Sequence, residues 1–150
     1  MEFLRQLQKF MDRESLGFDH IHLISSAPDE TADWYVRILG ASIVAKYELR
    51  NAPQINLSLG GITLLIRGRR PGENPSQRPA MRDFENYSSH DVWGTDHFGF
   101  SYRGDLREFC SEIQSKGAEL LVDPWEFTPN SLICYVKAPD GVSIEVVQAR

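Results

Sequence analysis

Apolar residues recur along the chain with two alternating periods. Phe3, Leu4, Leu7, Phe10 and Met11 stand at helical offsets, which predicts a short amphipathic helix over residues 2–13. Residues 18–25, rich in His, Ile and Leu, read as a first strand. Ser26-Ala27-Pro28-Asp29-Glu30 carries the proline and acids of a helix start. Trp34, Tyr35, Ile38 and Leu39 mark the apolar side of that helix before Gly40 stops it. Ser42–Leu49 and Gln54–Leu59 read as strands around a turn at Arg50-Asn51-Ala52-Pro53. Gly60-Gly61 is a second turn, and Ile62–Ile66 a fourth strand.

The pattern lapses from Arg67 to Gly94, where Pro71, Pro75 and Pro79 interrupt a polar stretch. A loop this long inside a compact domain is often functional or mobile. Phe84, Tyr87, His90 and Trp93 give it enough ring surface to pack as a lid. Then the first pattern returns. Thr95–Tyr102 reads as a strand, and Asp105–Lys116 as a helix with Leu106, Phe109, Cys110 and Ile113 on one face. Leu120–Val122 is a short strand, Pro124–Pro129 a loop, Ser131–Val136 a strand, Pro139-Asp140-Gly141 a turn and Val142–Gln148 the last strand. Both halves read β-α-β-β-β, the mark of a duplicated module. Neither half alone buries the inner face of its sheet, so the two are expected to share a core. The expectation is one α+β domain over 1–150: a helix at 2–13, module one at 18–67, a long loop at 68–94 and module two at 95–149.

Three polar residues stand where a hydrophobe would be cheaper. The dipeptide Asp-His opens an apolar run in each half, as Asp19-His20 and as Asp96-His97, and Glu145 interrupts the run Val142–Val147. An ionised carboxylate on a central strand is disfavoured unless it is paired or metal-bound. If the halves are related by a pseudo-twofold axis, His20 and His97 occupy equivalent places and Glu145 is the natural third partner. Two imidazoles and one carboxylate with open positions is the facial arrangement of non-haem Fe(II), although the same set holds Zn, Mn, Ni or Co. Strand alternation puts His20 and His22 on one face and turns Asp19 and Asp96 away from their neighbours. The aspartates are therefore read as strand-edge hydrogen-bonders or solvated acids.

Composition narrows the classes. With 41% hydrophobic and 11% aromatic residues, the 150-residue chain can build a real core. A net charge of -5 argues against nucleic acid as a partner. The local basic group Arg67, Arg69 and Arg70 reads as a solvated loop entry, ahead of an anion-binding role for a substrate carboxylate. No apolar run approaches the roughly 20 residues that span a bilayer, and no leader pattern opens the sequence, so the expectation is no membrane and a cytoplasmic location. Cys110 and Cys134 are expected as buried small hydrophobes, not as a disulfide or zinc clamp.

The strand Asp19-His20-Ile21-His22-Leu23, the helix end Trp34-Tyr35-Val36-Arg37-Ile38-Leu39-Gly40, the strand Asp96-His97-Phe98-Gly99-Phe100 and the ending Ala138–Glu145 occur in an order and spacing that resemble the vicinal-oxygen-chelate superfamily. That superfamily includes glyoxalase I, methylmalonyl-CoA epimerase, extradiol dioxygenases and the fosfomycin and bleomycin resistance proteins. The likeness covers nearly all of residues 18–149. It implies paired βαβββ modules forming a cupped, mostly antiparallel mixed sheet around a divalent metal held by His20, His97 and Glu145. It also implies a small-molecule substrate and a homodimer, since such module pairs commonly associate or exchange modules.

Two departures refine the resemblance. The family often has a fourth ligand on the last strand of the first module, where this chain offers Thr63 or Leu65. Neither is a good ligand, which favours the three-ligand pattern of extradiol dioxygenases over glyoxalase or epimerase. Tyr135, followed by Ala138-Pro139, Gly141 and Glu145, is similar to the dioxygenase tail, whose tyrosine hydrogen-bonds the substrate. The family's histidine ahead of that tyrosine is absent from Phe127 to Cys134, leaving His22 or His90 as candidate bases. The leading expectation is a metal-dependent enzyme that chelates adjacent oxygens of a small substrate, with an Fe(II) extradiol-type dioxygenase favoured. A glyoxalase-like lyase or isomerase using Ni, Zn, Mn or Co is the alternative. A non-catalytic drug-binding module, with Trp93, Trp125, Phe84 and Tyr87 lining its cleft, is the alternative from another class.

Overall fold

The computed structural model describes residues 16–77 and 93–148. The helix expected over 2–13, and His90, Phe84 and Tyr87 of the long loop, lie outside the described residues. The elements are β1 (His20–Ile24), α1 (Pro28–Leu39), β2 (Ser42–Leu49), β3 (Ala52–Leu59), β4 (Ile62–Arg67), β5 (Phe98–Tyr102), α2 (Leu106–Ser115), β6 (Glu119–Thr128), β7 (Ser131–Lys137), a 3₁₀ turn (Pro139–Gly141) and β8 (Ser143–Gln148). They form two four-stranded sheets, ordered β1-β4-β3-β2 and β5-β8-β7-β6. In each, the first strand runs parallel to the last, and the other pairings are antiparallel. The duplicated β-α-β-β-β order is thus realised twice with one topology.

Local chemistry sets the ends of both helices. α1 opens on Pro28, Asp29 and Glu30, and Gly40 ends it in the left-handed region at φ 74, donating its N–H to the last carbonyls. α2 is capped by Asp105, whose carboxylate accepts from the backbone N–H groups of Arg107 and Glu108 at 2.8 and 3.1 Å. Ala32, Tyr35 and Ile38 of α1 and Leu106, Cys110 and Ile113 of α2 enter one core with Leu57, Leu64, Ile66, Cys134, Val136, Ile144 and Val146. Each fully buried aliphatic side chain there contributes about 1.5–3 kcal/mol. Both cysteines are free and buried, as expected from their patterns.

The two halves touch along this core side. Ser26 donates its Oγ–H to Asp140 at 2.5 Å, and Arg37 donates to the Lys116 carbonyl. Gly60 lies against Phe100, whose ring a Cβ at Gly60 would approach to 3.0 Å. Strand alternation then leaves a second face on each sheet. In the first it carries His20, His22, Thr63, Leu65, Arg67, Gln54 and Asn56; in the second, Gly99, Glu145, Val147, Ile133 and Tyr135.

Several expected boundaries move. The loop expected at Pro124–Pro129 is strand instead, because β6 continues to Thr128. Pro124 is tolerated since β6 is an edge strand with register shifts between Val122 and Trp125, where a missing N–H costs little. The turn expected over Arg50–Pro53 shrinks to Arg50 and Asn51, both at positive φ (51 and 60), a two-residue hairpin geometry that lets β3 begin at Ala52. β1 and β5 are shorter than expected and begin at His20 and Phe98. No helix among the described residues is long and apolar enough to cross a membrane.

Candidate functional site

The second sheet brings three of the expected site residues together. The register sets Glu145 between Gly99 on β5 and Tyr135 on β7. Tyr135 donates its hydroxyl to Glu145 Oε1 at 2.7 Å. His97, immediately before β5, places Nε2 3.7 Å from Glu145 Oε2. The Tyr135 ring stands edge-on to the His97 imidazole, with centroids 5.2 Å apart. Gly99 keeps the flank of the carboxylate clear, since a Cβ there would already stand 3.4 Å from Oε2. His97 and Glu145 are 27% and 21% exposed, so both are sheltered yet reachable by a small ligand.

The aspartates differ from the expectation of parity. Asp96 Oδ2 lies 2.6 Å from His97 Nδ1, and Asp19 Oδ2 lies 2.5 Å from His20 Nδ1. Both aspartates precede the first paired strand residue, so strict alternation does not bind them. A carboxylate on Nδ1 orients the ring through that nitrogen, the arrangement that metal-binding histidines use. The signal was in the sequence as the repeated Asp-His itself, with a role different from the one assigned to it.

The first sheet repeats the register with other side chains. His22 pairs with Leu65 as Gly99 pairs with Glu145, and Asn56 faces Leu65 as Tyr135 faces Glu145. Of the two residues left open for the fourth-ligand position, the register selects Leu65. Asn56 Oδ1 instead accepts from the Tyr47 hydroxyl at 3.3 Å. His20 and His22 share a face, with ring centroids 6.2 Å apart. Partial burial, followed by the nearby charges of Arg67, His20 and Arg70, pulls the His22 pKa below its ordinary value.

The donor set on the second sheet fits a divalent ion. Two ligands with bonds of about 2.0–2.2 Å and an open angle between them stand at a separation close to that of His97 Nε2 and Glu145 Oε2. Tyr135 meanwhile occupies Oε1 and leaves Oε2 turned toward the imidazole. Among the described residues, however, no three His, Cys, Asp or Glu side chains converge on one point. His20 stands with His22 on the other sheet, and Trp93, one of the rings expected to line a cleft, is fully exposed.

A model of the Glyoxalase/Bleomycin resistance protein/Dioxygenase superfamily matches residues 17–146. No curated protein matches the chain. Among solved structures, a glyoxylase/bleomycin resistance protein/dioxygenase domain from Frankia sp. EAN1pec superposes with a TM-score of 0.69 at 20% identity, covering 90% of this chain and 98% of that one. A glyoxalase I mutant from Zea mays gives 0.66 at 16% identity, over 87% of this chain and 45% of that one. A mutant of the fosfomycin resistance protein FosX from Listeria monocytogenes, complexed with Mn(II) and 1S,2S-dihydroxypropylphosphonic acid, gives 0.64 at 15% identity, over 89% and 93%. At these identities the likeness is one of fold.

Proposed function

Because the chain belongs to the Glyoxalase/Bleomycin resistance protein/Dioxygenase superfamily, we propose that it is a metal-dependent enzyme acting on adjacent oxygens of a small organic substrate. The observation that carries this reading is the pair His97 Nε2 and Glu145 Oε2, 3.7 Å apart and held from behind by Asp96 and Tyr135. His97, Glu145 and His20 would hold the ion. When bound, it supplies Lewis-acid stabilisation of negative charge on a substrate oxygen. Asp96 keeps His97 in the tautomer that offers Nε2. The Tyr135 hydroxyl orients Glu145 and is placed to hydrogen-bond a substrate oxygen beside it. His22, whose pKa is lowered by desolvation and then by the charge of Arg67, is the candidate base on the face of His20; His90 remains a candidate base.

His20 does not reach the pair within the described chain. The reading therefore includes a homodimer in which His20 of one copy meets His97 and Glu145 of the other. Mixing His20→Ala and Glu145→Ala chains tests this. If the site forms between copies, refolded mixtures regain about a quarter of the wild-type metal, because one site of each heterodimer is intact. If each site lies within one chain, the mixture regains none.

With Leu65 in the fourth position, the reading favours three protein ligands and Fe(II) chemistry of the extradiol type. Oxygen uptake is the expected result when the protein is loaded anaerobically with Fe(II), given catechols and then exposed to air. A second reading, a lyase, isomerase or related addition enzyme using Ni, Zn, Mn or Co, is favoured by the fold likeness to Mn(II)-bound FosX. Turnover under Mn or Ni with no oxygen uptake would select it. Ligand binding that survives His97→Ala unchanged would sink both readings in favour of a binding module.

A further inference from the structure

The site-bearing face of the first sheet ends in a basic cluster that the metal reading does not use. Arg67, the last residue of β4, pairs across the sheet with Ile24 and Gln54 and follows Leu65 on the face of His22. Its side chain is only 11% exposed, rare for an arginine without a task. Nη1 of Arg67 donates to Glu73 Oε2 at 2.8 Å, and Nη1 of Arg70 donates to Glu73 Oε1 at 3.0 Å. The Arg70 backbone N–H also donates to Oε2, and Arg70 Nε to the Arg50 carbonyl. The backbone beneath is pinned. Ser25 N–H bonds the Arg67 carbonyl at 2.8 Å, and Gly68 N–H bonds that of Pro53 at 2.9 Å. Gly68 lies so close to Pro53 and Pro28 that a Cβ would overlap both rings.

Two guanidiniums share one carboxylate, which leaves a net positive charge beside His22. The Arg67 guanidinium bonds Glu73 through Nη1. A guanidinium presents five donors in a planar fork, and its planar partner is a carboxylate. We propose that Arg67 and Arg70 form an anion subsite that takes a carboxylate of the substrate, at the opposite end of the β1 face from His20. Four residue steps along β4 separate Arg67 from Thr63, the cross-strand partner of His20, a span of about 13 Å. The substrate class is therefore an elongated organic acid, with its adjacent oxygens at one end and its carboxylate at the other. Glu73 occupies part of the fork in the absence of ligand and competes with it. The placement rests on the metal reading above; the presence of an anion site does not.

The test separates the two. Metal-free full-length protein is titrated calorimetrically with succinate and with inorganic phosphate. Saturable succinate binding is expected, weakened about tenfold by Arg67→Gln or Arg70→Gln and strengthened several-fold by Glu73→Gln. Arg70→Gln and Glu73→Gln keep the test decisive if Arg67→Gln does not fold by circular dichroism. Absence of saturable binding, or binding indifferent to all three changes, overturns the subsite. Phosphate binding without succinate binding overturns the carboxylate assignment. In a second arm the metal-loaded protein is offered catechol and 3-(2,3-dihydroxyphenyl)propanoate. Preference for the acid that disappears in Arg70→Gln supports the placement beside the metal. Succinate binding in the first arm with no such preference overturns the placement alone.

Discussion

The two modules share a topology and a register but not a chemistry. At corresponding places one sheet has Leu65 and Asn56 where the other has Glu145 and Tyr135. The Asp-His pair is common to both, with the same carboxylate-to-Nδ1 hydrogen bond. The difference teaches that the duplicated backbone supplies positions, and that one side chain per position decides what is built there. The second module carries a carboxylate beside its histidine, and it is the proposed metal pole. The first carries a leucine there and two guanidiniums on Glu73 from two residues further along, the proposed cationic pole.

The largest expected effect separates these poles directly. Glu145→Ala should lower metal affinity by at least about a hundredfold, beyond what loss of an outer-shell partner costs, whereas Leu65→Ala should leave it nearly unchanged. Metal content by elemental analysis after dialysis reads both. Equal metal in wild type and Glu145→Ala breaks the comparison.

Next in size is the conversion of one module toward the other. Leu65→Glu installs a carboxylate at the place equivalent to Glu145 and should raise affinity for Mn or Ni by about tenfold through a fourth oxygen ligand. Competition with a fluorescent chelator measures it. No change would mean that the face of β4 does not border the ion.

The aspartates sharpen the comparison further. Asp96 is 30% exposed and Asp19 is 90% exposed. Asp96→Asn should cost about 10–100-fold in metal affinity, since the sheltered hydrogen bond fixes the His97 tautomer. Asp19→Asn should cost much less, because water replaces an exposed partner readily. An equal loss in both would show that His20 depends on its aspartate as strongly as His97 does.

The smallest effect lies in the cationic pole. The Arg70 backbone N–H, then the Arg67 side chain, hold the Glu73 carboxyl down to about 2 from its ordinary 4.5. A depressed carboxylate adds stability that is complete above pH 4.5 and is lost as pH falls toward 2. Chemical denaturation at pH 6, 4 and 3 should therefore show a decline that Glu73→Gln flattens over the same window. An unchanged slope in that variant would show that the Arg67–Glu73 contact contributes nothing in solution, in keeping with its partial exposure.

Much of this was legible in the chain because it is local. Helical and strand periods, the Gly40 stop and the Asp105 cap act over a few residues, and the order of elements followed from them. The errors were also local in origin. Pro124 reads as a breaker until the edge position of β6 is known, and Arg50-Asn51 reads as part of a longer turn until both positive φ values are seen. Strand parity turns Asp19 and Asp96 away, but it does not hold outside the paired strand. Arg67 reads as solvated in the sequence, which does not state that Gly68 lies pressed against Pro53 and Pro28.

By itself the sequence determined the duplicated βαβββ order, the buried thiols and the candidacy of His20, His97 and Glu145, since a polar group on an apolar strand is conspicuous without any contact map. Tertiary structure decided which of those residues meet. Hydrogen-bonded register joins strands some forty residues apart, and it put Leu65 where Glu145 has its counterpart. It also joined Glu145 to His97 and Tyr135 while leaving His20 on the other sheet. Pairing of that kind depends on the burial of the whole core, and no local pattern encodes it.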